Sequence, residues 1–267
     1  MTKVPVLIVG AGPVGLALAG DLAWRGIAST ILEKTDGAIE QPKMDLVGVR
    51  TMEFCRRWGI VEDVENGGYN RDWGQDNVYV TSLTGYELGR EHFASPRETK
   101  APPQSPQRRE RCPQDKFDPV LRRWAGRSPL VDLRYRHELV DFSQDAGSVT
   151  AEVRDLECDE TLRIEAAYVV GCDGASSKVA KLLGTTYTGQ SILTNTTNVI
   201  FKSPELKHLH DKGEAYRFIV VGPKGTWATL VAIDGWDRYR LSVVKSPREG
   251  LSREQIENVI RRVAGID

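Results

Sequence analysis

The chain opens on an unbroken apolar run, Val4-Pro5-Val6-Leu7-Ile8-Val9, as a strand buried on both faces of a parallel sheet requires. A glycine turn follows from Gly10 to Gly15. The Ala- and Leu-rich stretch Pro13 to Arg25 predicts a helix, with Gly26 as its stop. Thr30-Ile31-Leu32 reads as a second strand ending at Glu33. Strand, helix and strand in quick succession open a doubly wound α/β sheet.

Val49 to Trp58 predicts the next helix. Residues 95–113 are Pro-rich and charged, which predicts a long surface loop. Its cluster Arg108-Arg109-Glu110-Arg111 reads as solvated rather than phosphate-binding. Gln114 to Trp124 is helical in pattern. From Leu130 to Cys172 apolar and polar positions alternate, with polar turns at 144–147 and 157–160, which predicts three or four antiparallel strands. The last of them, Tyr168-Val169-Val170, runs into Gly171-Cys172-Asp173-Gly174 and a helix over about 177–183. Beyond Gly184, stretches rich in Thr, Val and aromatics predict a second, sheet-dominated region. A closing helix, Ser252 to Ala264, sets Ile256, Val259, Ile260 and Val263 on one face. The pattern therefore predicts an α/β domain over 1–184 and a β-rich domain over 185–267. The first holds the Pro-rich loop at about 95–113 and an antiparallel section at about 130–170.

Composition narrows the classes. The chain has 267 residues, with 36 basic against 37 acidic side chains, so nothing recruits a polyanion. Neither nucleic acid nor a membrane is an expected partner. The longest apolar stretch, Val4 to Ala19, is broken by Gly10, Gly12, Pro13 and Gly15, unlike a signal peptide or a membrane span. Cys55, Cys112, Cys158 and Cys172 form no CxxC pair, which fits a reducing cytoplasm better than a disulfide framework or a zinc site. His92, His137, His208 and His210 carry no motif, and no metal site is expected.

The chemistry starts at Gly10-Ala11-Gly12-Pro13-Val14-Gly15, a GxGxxG sequence lying between a strand and a helix. Gly10 permits the tight turn, and Gly12 lets backbone approach a pyrophosphate. Gly15 lets the helix pack on the strand, and the helix N-terminus offers N–H donors and positive dipole to phosphates. Glu33 stands 18 residues beyond Gly15, at a strand end, where a carboxylate accepts from ribose hydroxyls. A dinucleotide is expected here. A plain NAD-dependent dehydrogenase would continue its βα alternation, whereas this chain turns to antiparallel strands.

These motifs, with the segment VRTMEFCRRWG at Val49–Gly59 and YVVGCDGASSKV at Tyr168–Val179, resemble the FAD-dependent aromatic hydroxylases. That family includes p-hydroxybenzoate, phenol and polyketide hydroxylases. The resemblance implies a Rossmann-like FAD-binding domain followed by an antiparallel β-rich domain. It implies FAD as cofactor, NAD(P)H and O₂ as co-substrates, and a small phenolic substrate.

Residue by residue, it implies that Gly10, Gly12 and Gly15 hold the pyrophosphate and Glu33 the adenosine ribose, with Ala11, Pro13, Val14 and Lys34 among the cofactor-binding residues. Arg50 would lie along the phosphate–ribityl side, where its charge and fork geometry suit. Gln114 would meet the ribityl chain or phosphate, and Leu139 would offer backbone groups to adenine. Asp173 and Gly174 would form a pyrophosphate element shared by FAD and NAD(P)H. Plainer roles compete: a surface helix arginine for Arg50, a helix cap for Gln114, a turn former for Asp173. No catalytic residue is named. Substrate contacts would come from strands between Asn195 and Val244 and from the helix near Arg50.

Two departures stand out. The arginine that usually ends the Asp-Gly motif is replaced by Ala180. The Gly-Asp segment that binds the riboflavin end has no counterpart except Gly20-Asp21, inside the first helix. The chain thus reads as the N-terminal portion of a longer enzyme or a truncated reading frame, with weak or no turnover expected of it alone. Three readings stay open: an aromatic hydroxylase, another flavoenzyme on this scaffold such as a halogenase or reductase, and a non-catalytic remnant binding ADP-like ligands. Self-association is left open as well.

Overall fold

The computed structural model describes residues 2–190 and 192–266. In chain order it begins β1 (Thr2–Val9), α1 (Pro13–Trp24), β2 (Ser29–Glu33), β3 (Leu46–Val47), α2 (Val49–Trp58), α3 (Val61–Glu65), β4 (Asn77–Val80), β5 (Glu87–Glu91) and β6 (Glu110–Arg111). Then come α4 (Gln114–Ala125), β7 (Val131–Tyr135), β8 (His137–Gln144), β9 (Val149–Asp155), β10 (Glu160–Gly171) and α5 (Lys178–Leu182). The remainder is β11 (Thr196–Lys202), β12 (Arg217–Gly222), β13 (Gly225–Ala232), β14 (Arg238–Val244) and α6 (Arg253–Ala264). These elements form two compact units, one from residues 1–42 and 114–189, the other from 43–113 and 190–267.

The first unit is built on a six-stranded sheet in the order β7-β2-β1-β10-β9-β8. β1 runs parallel to both neighbours, β2 and β10, and β2 runs parallel to β7. The strands from β10 outward alternate in direction. Alternation correctly marks β8, β9 and β10 as antiparallel, but β7 is a correction, since it extends the parallel side. Direction of pairing depends on the path of the chain, which side-chain periodicity does not record. Leu7 and Val9 of β1 bury one face of the sheet with Leu32, Leu139, Val153, Ile164 and Val179. α1 packs against α4, and Gly20 makes this possible, because a Cβ there would collide with the Trp124 ring.

The second unit carries another six-stranded sheet, ordered β11-β14-β13-β12-β4-β5, and the small β3–β6 ribbon. β12 and β13 form a hairpin through Gly225 at φ +92°, the positive-φ position such a turn uses. Val78, Val80, Phe218, Val220, Leu230 and Leu241 bury one sheet face together with Trp73 and Val263. α6 lays Val259, Ile260 and Val263 on that core, with Ile256 only half buried. A capping box between Ser252 and Gln255 opens α6, and Gly265 closes it in the left-handed conformation.

The division differs from one at residue 184. Residues 43–113 belong with the C-terminal sheet, because β4 pairs in parallel with β12. That pairing joins Asn77 to Arg217, and no local pattern announces a partner so far along the chain. The Pro-rich stretch is also more than a solvated loop. Glu110 and Arg111 are buried there, at 1% and 9% exposure, and form a strand with Leu46 and Val47.

Candidate functional site

The carboxyl ends of β1, β2 and β10 converge on one corner of the first unit. The Gly10 amide donates to the Leu32 carbonyl at 2.8 Å, and the Cys172 amide donates to the Val9 carbonyl at 2.7 Å. This is the position at which open α/β sheets bind ligands, where chain order reverses on either side of one strand. Gly10 sits at φ +100°, and a Cβ on it would lie 2.6 Å from the Cys172 carbonyl oxygen. It is therefore required twice, by conformation and by the turn crowding it. Gly15 is required by packing alone, since a Cβ there would run into the Gly10 carbonyl oxygen.

Gly12 is different. It has ordinary φ −71° and ψ −177°, and a Cβ there would meet nothing within 4 Å. Neither backbone strain nor packing within the chain calls for glycine at this position. The residue caps α1 without a side-chain hydrogen bond, and no acidic residue occupies the first turn. Pro13 at the first helical position has no N–H, so the amides of Gly12, Val14 and Gly15 lie outside the helix's own ladder. Val14, 66% exposed, sits on this first turn. An open, uncharged helix start with a bare backbone beside it fits an anionic group such as pyrophosphate.

Glu33 closes the corner from β2. One carboxylate oxygen accepts from the Ala11 amide at 3.0 Å, and the other accepts from the Thr35 amide at 2.9 Å and hydroxyl at 2.8 Å. Lys34 points outward and is exposed.

Asp173 stands at the end of β10, and its carboxylate is engaged by its own helix. It accepts from the Ser177 hydroxyl at 2.5 Å and from the amides of Lys178 at 2.6 Å and Val179 at 3.1 Å. Partial burial pushes its acidity toward the neutral form, but the hydrogen bonds from Ser177, Val179 and Lys178 outweigh this and hold the pKa below the usual carboxylate range. Gly174 follows at φ +77°.

Gln114 opens α4 and donates to Asp118 at 3.1 Å. Burial pushes the Asp118 carboxyl up to about 6, against the bond from Gln114 and the charge of Arg122. Leu139 is buried in the cluster that holds Val9 and Leu32, the residues leading into the corner. Ten of the residues named from the sequence therefore gather around the two turns and the end of β2, and Gln114 and Leu139 lie elsewhere in the same unit. Arg50 belongs to the second unit, on α2, where it is exposed, pairs with Glu53 at 2.7 Å and stacks over Phe54.

Sequence reasoning missed a buried polar network in the second unit. Asp45 accepts from the Tyr216 hydroxyl at 2.9 Å and from Arg111 at 3.3 Å. Arg111 also donates to Gln75 at 2.7 Å, and its guanidinium stacks 3.6 Å from the Tyr216 ring centre. Glu110 beside it pairs with Arg71 at 3.0 Å; burial nevertheless raises its pKa. The only hint in the sequence is an Arg-Glu-Arg string in a Pro-rich stretch, which looks the same whether solvated or buried. His210 lies edge-on to Phe218 at 5.0 Å, and burial lowers its pKa, so it serves packing.

A family model described as an FAD binding domain matches residues 3–264. The 2,4-dichlorophenol 6-monooxygenase of Delftia acidovorans is 30% identical over 218 residues, which is 80% of this chain and 37% of that protein. The tetracenomycin A2 monooxygenase-dioxygenase of Streptomyces glaucescens is 30% identical over 231 residues, 82% of this chain and 40% of its own. Among solved structures, the rebeccamycin biosynthetic enzyme RebC with reduced flavin matches at a TM-score of 0.88 and 33% identity, covering 100% of this chain and 49% of RebC. The chain spans less than half the length of each of these relatives. Among the described residues, no helix is long and apolar enough to cross a membrane.

Proposed function

Given that the chain belongs to the FAD-dependent aromatic hydroxylase family, we propose that it serves NAD(P)H- and O₂-dependent hydroxylation of a small phenolic substrate, with its first unit holding FAD. The observation that carries the reading is Gly12, a glycine that neither strain nor packing within the chain demands, at an uncapped helix start. Its bare backbone leaves room for a pyrophosphate, and the amides of Gly12, Val14 and Gly15 supply the donors. Glu33 stands where the adenosine ribose of such a ligand would lie. Asp173 and Gly174 contribute by shape, holding the second turn against Gly10. Gln114, Leu139, Lys34 and Arg50 remain proposed contacts to the rest of the cofactor.

The flavin, when bound, supplies the electron transfer from NAD(P)H and the activation of O₂. This chain's residues bind and orient it. Glu33 and Asp173 spend most of their hydrogen-bonding capacity within the fold.

FAD titration of the 267-residue chain, followed by flavin fluorescence with ADP as competitor, tests this. Saturable FAD binding that ADP displaces is expected, and an absence of FAD binding overturns the reading. In the flavin-loaded protein, a phenol that accelerates NAD(P)H oxidation and gains one oxygen atom identifies the substrate class.

A further inference from the structure

The hydrogen bonds around Glu33 limit what it has left to offer a ligand. A carboxylate has about four lone-pair sites, two on each oxygen. Thr35 fills both on one oxygen, through its amide at 2.9 Å and its hydroxyl at 2.8 Å. The Ala11 amide takes one site on the other oxygen. One acceptor site remains, on the oxygen beside the glycine turn.

Thr35 is itself held from several sides. Its hydroxyl accepts from the Gly37 amide at 3.1 Å, which directs its proton to Glu33. Its carbonyl accepts from the Arg136 amide at 3.1 Å. Two residues on, the Gly37 carbonyl accepts from Arg122 at 2.6 Å, and the Arg122 guanidinium lies over the Tyr135 ring. Gly37 sits at φ +76°, and a Cβ there would press on Tyr135 and Arg122. A line of hydrogen bonds thus runs from the pinned segment after β2, through the Thr35 hydroxyl and Glu33, to the amide of Ala11.

We propose that Thr35 is a positioning residue for nucleotide recognition, fixing the Glu33 carboxylate so that it reads one ribose hydroxyl of the adenosine and not both. The inference rests on the reading that an FAD-like nucleotide binds at this corner. It assigns a specificity role to a residue outside the glycine motif and the strand-end acid.

The test uses the full chain with ADP, 2′-deoxy-ADP and 3′-deoxy-ADP as competitors against FAD fluorescence. For the unsubstituted protein, one deoxy analogue is expected to bind within about twofold of ADP and the other about five- to tenfold more weakly, the worth of one net hydrogen bond. Thr35→Val keeps shape and amide but loses the hydroxyl; it should weaken ADP about fivefold while leaving the weaker analogue nearly unchanged. Thr35→Ser should restore ADP binding to within about twofold. A merely structural role predicts instead that Thr35→Val weakens ADP and both analogues alike, and that result overturns the proposal. Equal losses for the two deoxy analogues on the unsubstituted chain overturn it too, without needing any variant to fold. Failure of the unsubstituted chain to bind FAD or ADP at all overturns the parent reading, and this inference with it. Normal ADP binding by Thr35→Val overturns the inference alone.

Discussion

At the end of β1 the chain turns into a helix whose first amides meet no capping side chain, whereas at the end of β10, one strand away, it turns into a helix whose first amides are taken by Asp173 and Ser177. Both corners are strand, glycine turn and helix, and both place a glycine at positive φ, Gly10 and Gly174. The first leaves its helix start open, and the second closes its own. An isolated domain gains about 1 kcal/mol from such a cap. Leaving it out is sensible where a ligand supplies the missing acceptors. The pair therefore separates a helix start left open from one closed by the chain's own side chains.

Three substitutions would break or sharpen this contrast. The largest effect is expected from Gly15→Val, whose side chain would collide with the Gly10 carbonyl. Overpacking of this kind costs about 3 kcal/mol or more, and thermal denaturation should show a large loss of stability together with loss of FAD binding. Gly12→Val places its Cβ where nothing stands within 4 Å. Its melting temperature should stay within a few degrees of the parent, while FAD affinity falls by at least about tenfold, or ~1.4 kcal/mol. A Gly12→Val protein that binds FAD normally would remove the case for the open corner.

The smallest effect is expected from Asp173→Ala, a loss of about 1 kcal/mol at neutral pH, as for other helix caps. Because the folded-state pKa of Asp173 is depressed, its contribution is present above the unfolded value near 3.9 and disappears as pH falls through the lower folded value. Denaturation curves of the variant and parent should therefore begin to converge as pH falls below about 4 and meet below the depressed folded value. FAD affinity should change by less than about threefold. A tenfold loss of affinity at unchanged stability would instead make Asp173 a direct ligand of the cofactor.

Much of the open corner was legible in the sequence. The apolar run Val4–Val9, three spaced glycines and a strand-end acid all lie within about 30 residues of one another and can be read together, although the partners that bury β1 and crowd Gly10 come from β10 and the turn after it. The helix Val49–Trp58 and the capped helix ending at Gly265 are equally local. The commitment of Asp173 to its own helix was not legible, because an Asp-Gly turn reads the same whether its carboxylate faces a ligand or a backbone amide. The burial of Glu110 and Arg111 depends on Arg71, Asp45, Gln75 and Tyr216, which come from distant parts of the sequence. β5 carries few strand formers and joins the sheet only through β4, and β4, though rich in them, enters the C-terminal sheet through its pairing with the distant β12.

The pairing of β1 with β10 has a consequence for how the protein is made. Thr2 aligns with Ile164 and Val9 with Gly171, so one edge of the first strand stays unpaired until most of the chain has been synthesised. At about 5–20 residues per second, that wait lasts roughly 10–30 s. Through all of it a β-branched segment, charged only at Lys3 and lacking one amide at Pro5, presents an unpaired strand edge to whatever else is nearby. The strand on its other side, β2, is complete by Glu33. The β1–β10 pairing thus leaves this strand edge open longer during synthesis than in the finished fold.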